Sequence, residues 1–339
     1  MIIDAIKKAV DHLHLSVDEM TAAMNEIMEG ACTDAQIASF LTALRLKGET
    51  AEEITAAARV MRSKAISVPV KNRNALVDIV GTGGDNANTF NVSTAAAFVA
   101  CGAGLRVAKH GNRSVSSRSG SADVMEKLGV GIDLSPESVG RCIDEIGMGF
   151  LFAPKFHLAM KYATPVRREI GIRTIFNMLG PLTNPADADI QLIGVYDIEL
   201  TAVFALVLKS LGRQRALIVH GMDGLDELSL SAETQVYELS PAGTVSYRVR
   251  PEDAGLHRAP LDAVRGGDAQ ENAAIILAIL KGRPGPYRDL VLLNAGAAIM
   301  AGGSALTLRE GAGMAAEAID SGRAMRKLTD LKELSQALD

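Results

Sequence analysis

Several common signals are missing from this 339-residue chain, and each absence removes a class of function. Cysteine is scarce. Cys32, Cys101 and Cys142 stand far apart among mostly apolar or small neighbours, which predicts reduced core thiols and no disulfide frame or metal-spaced Cys/His cluster. No apolar run reaches the ~18 residues of a membrane span, and the opening MIIDAIKKAVDHLH predicts an amphipathic helix, not a secretory leader. The chain thus reads as soluble and cytoplasmic. No Gly-Lys dipeptide occurs, which excludes the GxxxxGK[ST] phosphate loop. Gly81-Thr82-Gly83-Gly84 lacks the last glycine of the dinucleotide fingerprint, which weighs against nicotinamide chemistry. No Ser-His-Asp logic is visible, nor any repeat, heptad array or low-complexity tract. A formal charge of −5 argues against general nucleic-acid or membrane-surface binding.

What is present is enough for a full core, with 48% hydrophobic residues in a length that suits one large domain or a large and a small one. Residues 1–66 carry only helical signals. Three capping-box patterns follow one another: Ser16 with Glu19, Thr33 with Gln36, and Thr50 with Glu53. Each precedes apolar residues at three- and four-residue spacing, such as Met20, Met24, Ile27 and Met28. Gly30 and Gly48 stand where C-terminal caps belong. The expectation is a small all-helical N-terminal domain, 1–66, to which helices from about 160–180 could be added. Residues 67–74, with Pro69, read as a hinge linker on which the unit could move as a body. The rest, 75–339, alternates strands with helices, the pattern of an α/β domain with a mostly parallel central sheet. Strands are expected at 76–80, 105–109, 130–134, 149–153, 191–196 and 215–220. A hairpin is expected from 235–239 and 245–249, and helices at 268–281, 290–301 and 308–328.

The chemistry concentrates between Val77 and Glu126. A β-branched run (Val77, Ile79, Val80) empties into Gly81-Thr82-Gly83-Gly84-Asp85, and Asn91-Val92-Ser93-Thr94 then opens an apolar helix. Strand, glycine turn and helix start together aim backbone N–H groups at an anion. Leu105 to Ala108 predicts the next strand, followed by Lys109-His110-Gly111-Asn112-Arg113 and a serine-rich loop from Ser114 to Ser121. Two such loops outside the carboxyl ends of strands suit a ligand with two phosphate groups, or with one diphosphate and one monophosphate. Downstream, Asp223-Gly224-Leu225-Asp226-Glu227 follows another strand, and its adjacent carboxylates suit Mg²⁺, a hard cation wanting oxygen ligands. Taken without context, a solvated acidic turn is an equally good reading. Arg167-Arg168 offers a planar guanidinium to a substrate carboxylate, although surface arginines pairing with Glu169 would be the ordinary reading. His110 and His157 are candidate general bases, more often core residues.

These residues together closely resemble the anthranilate phosphoribosyltransferases of tryptophan biosynthesis. The matching elements are GTGGD (81–85), NVST (91–94), KHGNRSVSS (109–117), SGSAD (119–123), VRREIGIRTIFNMLGPLTNP (166–185) and DGLDE (223–227), in the family's order over essentially the whole chain. The resemblance implies a helical domain hinged to an α/β domain, commonly paired as a homodimer through the helical part. It implies transfer of the phosphoribosyl group of 5-phosphoribosyl 1-diphosphate (PRPP) to the amino group of anthranilate, the second step of tryptophan synthesis from chorismate, with Mg²⁺ as cofactor. PRPP contacts would fall on Gly81, Gly84, Asp85, Thr89, Asn91, Val92, Ser93, Thr94, Lys109, His110, Gly111, Asn112, Arg113, Ser114, Val115, Ser116, Ser117 and Ser121. Anthranilate would meet Gly81, Asn112 and Arg167, and the metal Ser93, Asp226 and Glu227. No acid–base residue is assigned: an aromatic amine is already neutral, so positioning and charge stabilisation carry the reaction. The alternatives are a pyrimidine nucleoside phosphorylase, which would need no paired carboxylate in a DGLDE loop, and a non-catalytic nucleic-acid-binding member of the fold, which should carry a basic groove.

Overall fold

The first four helices are α1 (Ile2–Val10), α2 (Val17–Met28), α3 (Asp34–Lys47) and α4 (Ala51–Lys64). This is a computed structural model, and it describes residues 1–71, 75–85, 87–114 and 118–338. All three capping boxes close as the sequence predicts, each hydroxyl accepting from the N–H three residues on while the acidic or amide side chain reaches back. Glu53 does more than cap. Its carboxylate also accepts the Leu15 N–H at 2.8 Å and pairs with Lys47 at 2.7 Å, with both side chains buried. One acid therefore ties the loop between α1 and α2 to the loop between α3 and α4.

The remaining chain forms a seven-stranded sheet. Its strands are β1 (Leu76–Gly81), β2 (Arg106–Gly111), β3 (Met148–Phe152), β4 (Ile190–Gly194), β5 (Arg215–Gly221), β6 (Thr234–Ser240) and β7 (Gly243–Val249). The spatial order is β3-β2-β1-β4-β5-β6-β7. Strands β1 to β5 run parallel, and the β6–β7 hairpin adds on antiparallel. From β1 the chain winds outward one way through β2 and β3, then restarts on the other side with β4. The junction of β1 and β4 is thus a topological switch point, where ligands bind in open α/β sheets.

Two expectations fail, one through a contact remote in the chain and one through a local break. Residues 130–134 form no strand, although Val130, Ile132 and Leu134 are buried. The Gly131 N–H donates to Ser335 Oγ at 2.9 Å, so the segment lies along the last helix instead of joining the sheet edge at β3. The helix expected at 308–328 is two, Leu308–Asp320 and Arg323–Leu338, parted at Ser321 and at Gly322, whose φ of +73° a side chain would resist. The helix expected from 290 begins earlier, at Pro286, where the missing N–H costs nothing.

The sheet separates two cores. Along β4 and β5, Leu192, Leu217 and Val219 face one side, while Ile193, Ala216 and Ile218 face the other. The second face continues without a break into the helical unit: Met24, Phe40 and Ile54 share a cluster with Phe176, Leu179, Phe204 and Ile218. Residues 163–182 contribute to this same layer. The segment after α4 is anchored, since Ile66 and Val68 donate to the carbonyls of Phe156 and Pro185 and Val68 is buried. The remainder of the expected linker, 72–74, lies outside the described residues.

Candidate functional site

The site stands where β1 and β4 end side by side. Gly81 of β1 pairs with Gly194 of β4, and the acidic loop after β5 lies directly on that pair. A Cβ at Gly194 would collide with the Asp226 carbonyl oxygen, and one at Gly81 would sit 2.5 Å from Asp226 Oδ2. Gly194 therefore requires glycine, a side chain at Gly81 would push the Asp226 carboxylate aside, and this close approach joins the two motifs. Asp226 Oδ2 accepts the Gly83 N–H at 2.7 Å, and Asp85 Oδ2 in turn accepts the Asp226 N–H at 3.4 Å. Glu227 Oε1 accepts the Ser93 N–H at 3.1 Å, in the first turn of α5 (Val92–Gly102).

Burial is the main cause raising the pKa values of Asp226 and Glu227. For Asp226 the Asp85 charge adds to it; for Glu227 the charges of Asp226 and Asp85 do so. Glu227 Oε2 is buried without a hydrogen-bond partner. A cavity of about 10 Å³, lined in part by Ser93, Asp226, Glu227 and Asn294, lies beside them. Among the described residues no three His, Cys, Asp or Glu side chains converge on one point. An orphaned carboxylate oxygen among like charges fits a hard divalent cation that takes its remaining ligands from substrate oxygens and water.

Lys109 and His110, expected in the phosphate loop, have interior side chains. Lys109 donates to the Ile79 carbonyl at 2.7 Å. Burial lowers its pKa, and the charges of Asp78, Glu227 and Asp226 oppose that. Lys109 thus sets its amino group behind the acidic loop. The ring of His110 lies 5.2 Å from that of His157. Burial pushes the two down, to about 3 and about 4, so both are neutral near pH 7, and each keeps a buried Nε2 without a partner.

The second loop is tied at both ends by one residue. Asp123, in α6 (Ser121–Lys127), accepts the N–H groups of Ser114 and Gly120 at 3.2 and 2.9 Å. Arg113 pairs with Asp123 and Glu126 and lies 5.5 Å over the Phe152 ring. The Asn112 carbonyl accepts from Ala122, and Ser121 Oγ lies 3.4 Å from the same oxygen. Val115, Ser116 and Ser117 lie outside the described residues. Thr89 bridges to Arg265. Asn91 does not cap α5 with its side chain; its amide donates to the Ser119 carbonyl, and its Oδ1 accepts from Asn272 at 2.9 Å. Val92 and Thr94 are buried in the helix start.

Arg167 sits in the helix Thr164–Ile170, partly buried and 5.3 Å over the Phe176 ring. Burial lowers its pKa, and among the described residues it has no ion-pair partner. Arg168 is exposed. Two further residues, Arg173 and Tyr196, meet the glycine loop, and Asn272 meets Asn91 before α5. Arg173 donates to the Gly84 carbonyl and lies 4.2 Å over the Tyr196 ring, while the Tyr196 N–H donates to Thr82 Oγ1 at 3.1 Å. Asn272 holds Asn91 in place. Nothing in local spacing marks these residues, because their partners are loop atoms remote in the chain.

This fold and site define a class: residues 73–325 match the glycosyl transferase family a/b domain, and 3–65 match the helical bundle domain of the same family. The finer comparison is equally extensive. An anthranilate phosphoribosyltransferase of Alkaliphilus metalliredigens is 56% identical over 338 residues, covering 100% of this chain and 99% of the relative. The crystal structure of the Thermus thermophilus enzyme superposes with a TM-score of 0.93 at 47% identity, covering 98% and 99% of the two chains. The Saccharomyces cerevisiae enzyme in complex with PRPP and Mg gives 0.91 at 31%, covering 99% and 98%; another structure of it holds 4-fluoroanthranilate. The chain belongs to the anthranilate phosphoribosyltransferase family.

Proposed function

We propose that this protein transfers the phosphoribosyl group of PRPP to the amino nitrogen of anthranilate, releasing diphosphate. The observation that carries the reading is the meeting of the glycine loop after β1 with the acidic loop after β5, at the switch point of the sheet. Ser93, Asp226 and Glu227 would hold Mg²⁺, which would offset the negative charge gathering on the leaving diphosphate. Backbone N–H groups of Gly84 and Asp85 and the loop from Gly111 to Ser121 would cradle the phosphates. Arg167 would take the anthranilate carboxylate, beside Asn112 and Gly81. The bond from C1 to the diphosphate oxygen breaks with its electron pair leaving on oxygen. The amine lone pair forms the new N–C1 bond, and the amine then loses a proton to solvent. No side chain is needed as a strong base, and buried, neutral His110 and His157 are consistent with walls.

The functional unit we infer is a cytoplasmic homodimer. Its helical face carries exposed Ile3, Val10, Leu13 and Leu46 on α1, the turn after it, and α3. We take 1–66 as a helical domain and 75–339 as the α/β domain.

The deciding experiment follows loss of anthranilate fluorescence with PRPP and Mg²⁺. Loss is expected only with all three present, and Asp226→Asn with Glu227→Gln should abolish most of it while leaving the fold intact. Release of free base from thymidine or uridine by phosphate, with no use of PRPP, would replace this reading with a nucleoside phosphorylase.

A further inference from the structure

Two consecutive glycines, Gly83 and Gly84, take φ values of +68° and +76° at the tip of the first loop. Such a pair leaves the intervening peptides free to turn over, because no Cβ resists either orientation. The Gly83 N–H is held by Asp226. The Gly84–Asp85 peptide, two peptides further on, is held by another group: the Arg173 guanidinium donates to the Gly84 carbonyl and rests on the Tyr196 ring at 4.2 Å. In a trans peptide the carbonyl and the following N–H point in opposite directions. A donor fixed on the Gly84 oxygen therefore aims the Asp85 N–H away from Arg173. Among the described residues neither the Gly84 nor the Asp85 N–H has an acceptor, and Arg173 has no ion-pair partner.

We propose that Arg173 is a positioning residue for the donor substrate, a strut that holds the Gly84–Asp85 peptide with its N–H toward the diphosphate. Tyr196 is the platform for that strut. It is fastened to the same loop through its own N–H on Thr82 Oγ1 at 3.1 Å. The proposal rests on reading this loop as the diphosphate cradle. Arg173 also belongs to the layer that carries Arg167, since Val166 beside Arg167 and Ile175 and Phe176 just after Arg173 pack in the same core as the helical unit. The strut thus connects the acceptor side of the site to the donor loop.

The test uses Arg173→Met, Arg173→Lys and Tyr196→Leu in the full-length protein, with Mg²⁺ and inorganic diphosphate as a calorimetric probe beside the anthranilate assay. Arg173→Met is expected to raise the PRPP KM roughly tenfold or more, the effect of losing a charge-assisted hydrogen bond. Mg²⁺–diphosphate binding should weaken in parallel, while the anthranilate KM stays within about twofold and Tm is unchanged. Arg173→Lys should recover part of the loss, and Tyr196→Leu should move the PRPP KM the same way by less. An unchanged PRPP KM and diphosphate affinity in Arg173→Met would overturn the proposal. So would both KM values worsening together with a fallen Tm. Should Arg173→Met not fold, the Tyr196→Leu measurements decide on the same criteria. A wild-type protein that consumes no anthranilate would sink the functional reading, while the diphosphate titration would still decide the role of Arg173.

Discussion

Adjacent arginines in one helix differ by about 100° in direction, and that difference separates Arg167 from Arg168. Spacing alone could not choose between them. Arg167 is partly buried on Phe176 with no ion-pair partner among the described residues, whereas Arg168 is exposed. A half-desolvated guanidinium lacking a protein carboxylate is poised for one from a ligand. Arg167→Ala should therefore raise the anthranilate KM by roughly tenfold or more and leave PRPP affinity nearly unchanged, whereas Arg168→Ala should alter neither. Steady-state kinetics in both substrates checks this, and equal behaviour of the two variants would remove Arg167 from the carboxylate role. The acidic loop was legible in the sequence because Asp226 and Glu227 follow a clear strand. Lys109 was expected at the end of a strand and His110 just beyond it, yet β2 continues to Gly111, which keeps both side chains inside. Arg173 stood in the sequence only as part of the VRREIGIRTIFNMLGPLTNP element, with no role of its own, and Tyr196 left no trace, since a side chain that binds a remote backbone carbonyl has no periodic signature.

At the scale of single elements, local chemistry was readable wherever partners lie three or four residues apart. The capping boxes of α2, α3 and α4 are of this kind. The failures lie where a tertiary partner decides. Residues 130–134 have the alternation of a strand, but Ser335, some two hundred residues away, takes the Gly131 N–H. Glu53 belongs to both cases: visible as a cap, invisible as the buried partner of Lys47 and Leu15. Removing it would leave the Lys47 ammonium with the Gly48 carbonyl and His14 but no counter-charge, and the Leu15 and Thr50 N–H groups without their acceptor. Glu53→Ala should lose about 3–5 kcal/mol, the range for breaking a buried pair from one side. Urea unfolding of wild type and variant measures this, and a loss below about 1 kcal/mol would mean that water replaces the carboxylate.

For the whole molecule, the family of folds was legible from the switch of periodicity near residue 75, while the assembly of the two parts was not. The exposed apolar side chains of α1 and α3 cannot all be covered within one chain, Leu46 being 74% exposed. If they form the dimer face, light scattering should return twice the 35.7 kDa of the chain, and Leu46→Glu should shift the protein toward the single-chain mass. A wild-type protein of single-chain mass would contradict the dimer.

The unbroken core linking Phe40 and Ile54 to Phe204 and Ile218 bears on how such a protein can change over generations. A substitution in α4 alters the surface on which the helix Glu199–Ser210 rests, so the helical region and the lower face of the sheet must drift in step. Grafting residues 3–65 from a distant relative onto this chain would join two halves shaped by separate histories, and the misfit would surface in the apolar layer, far from any residue that meets a substrate.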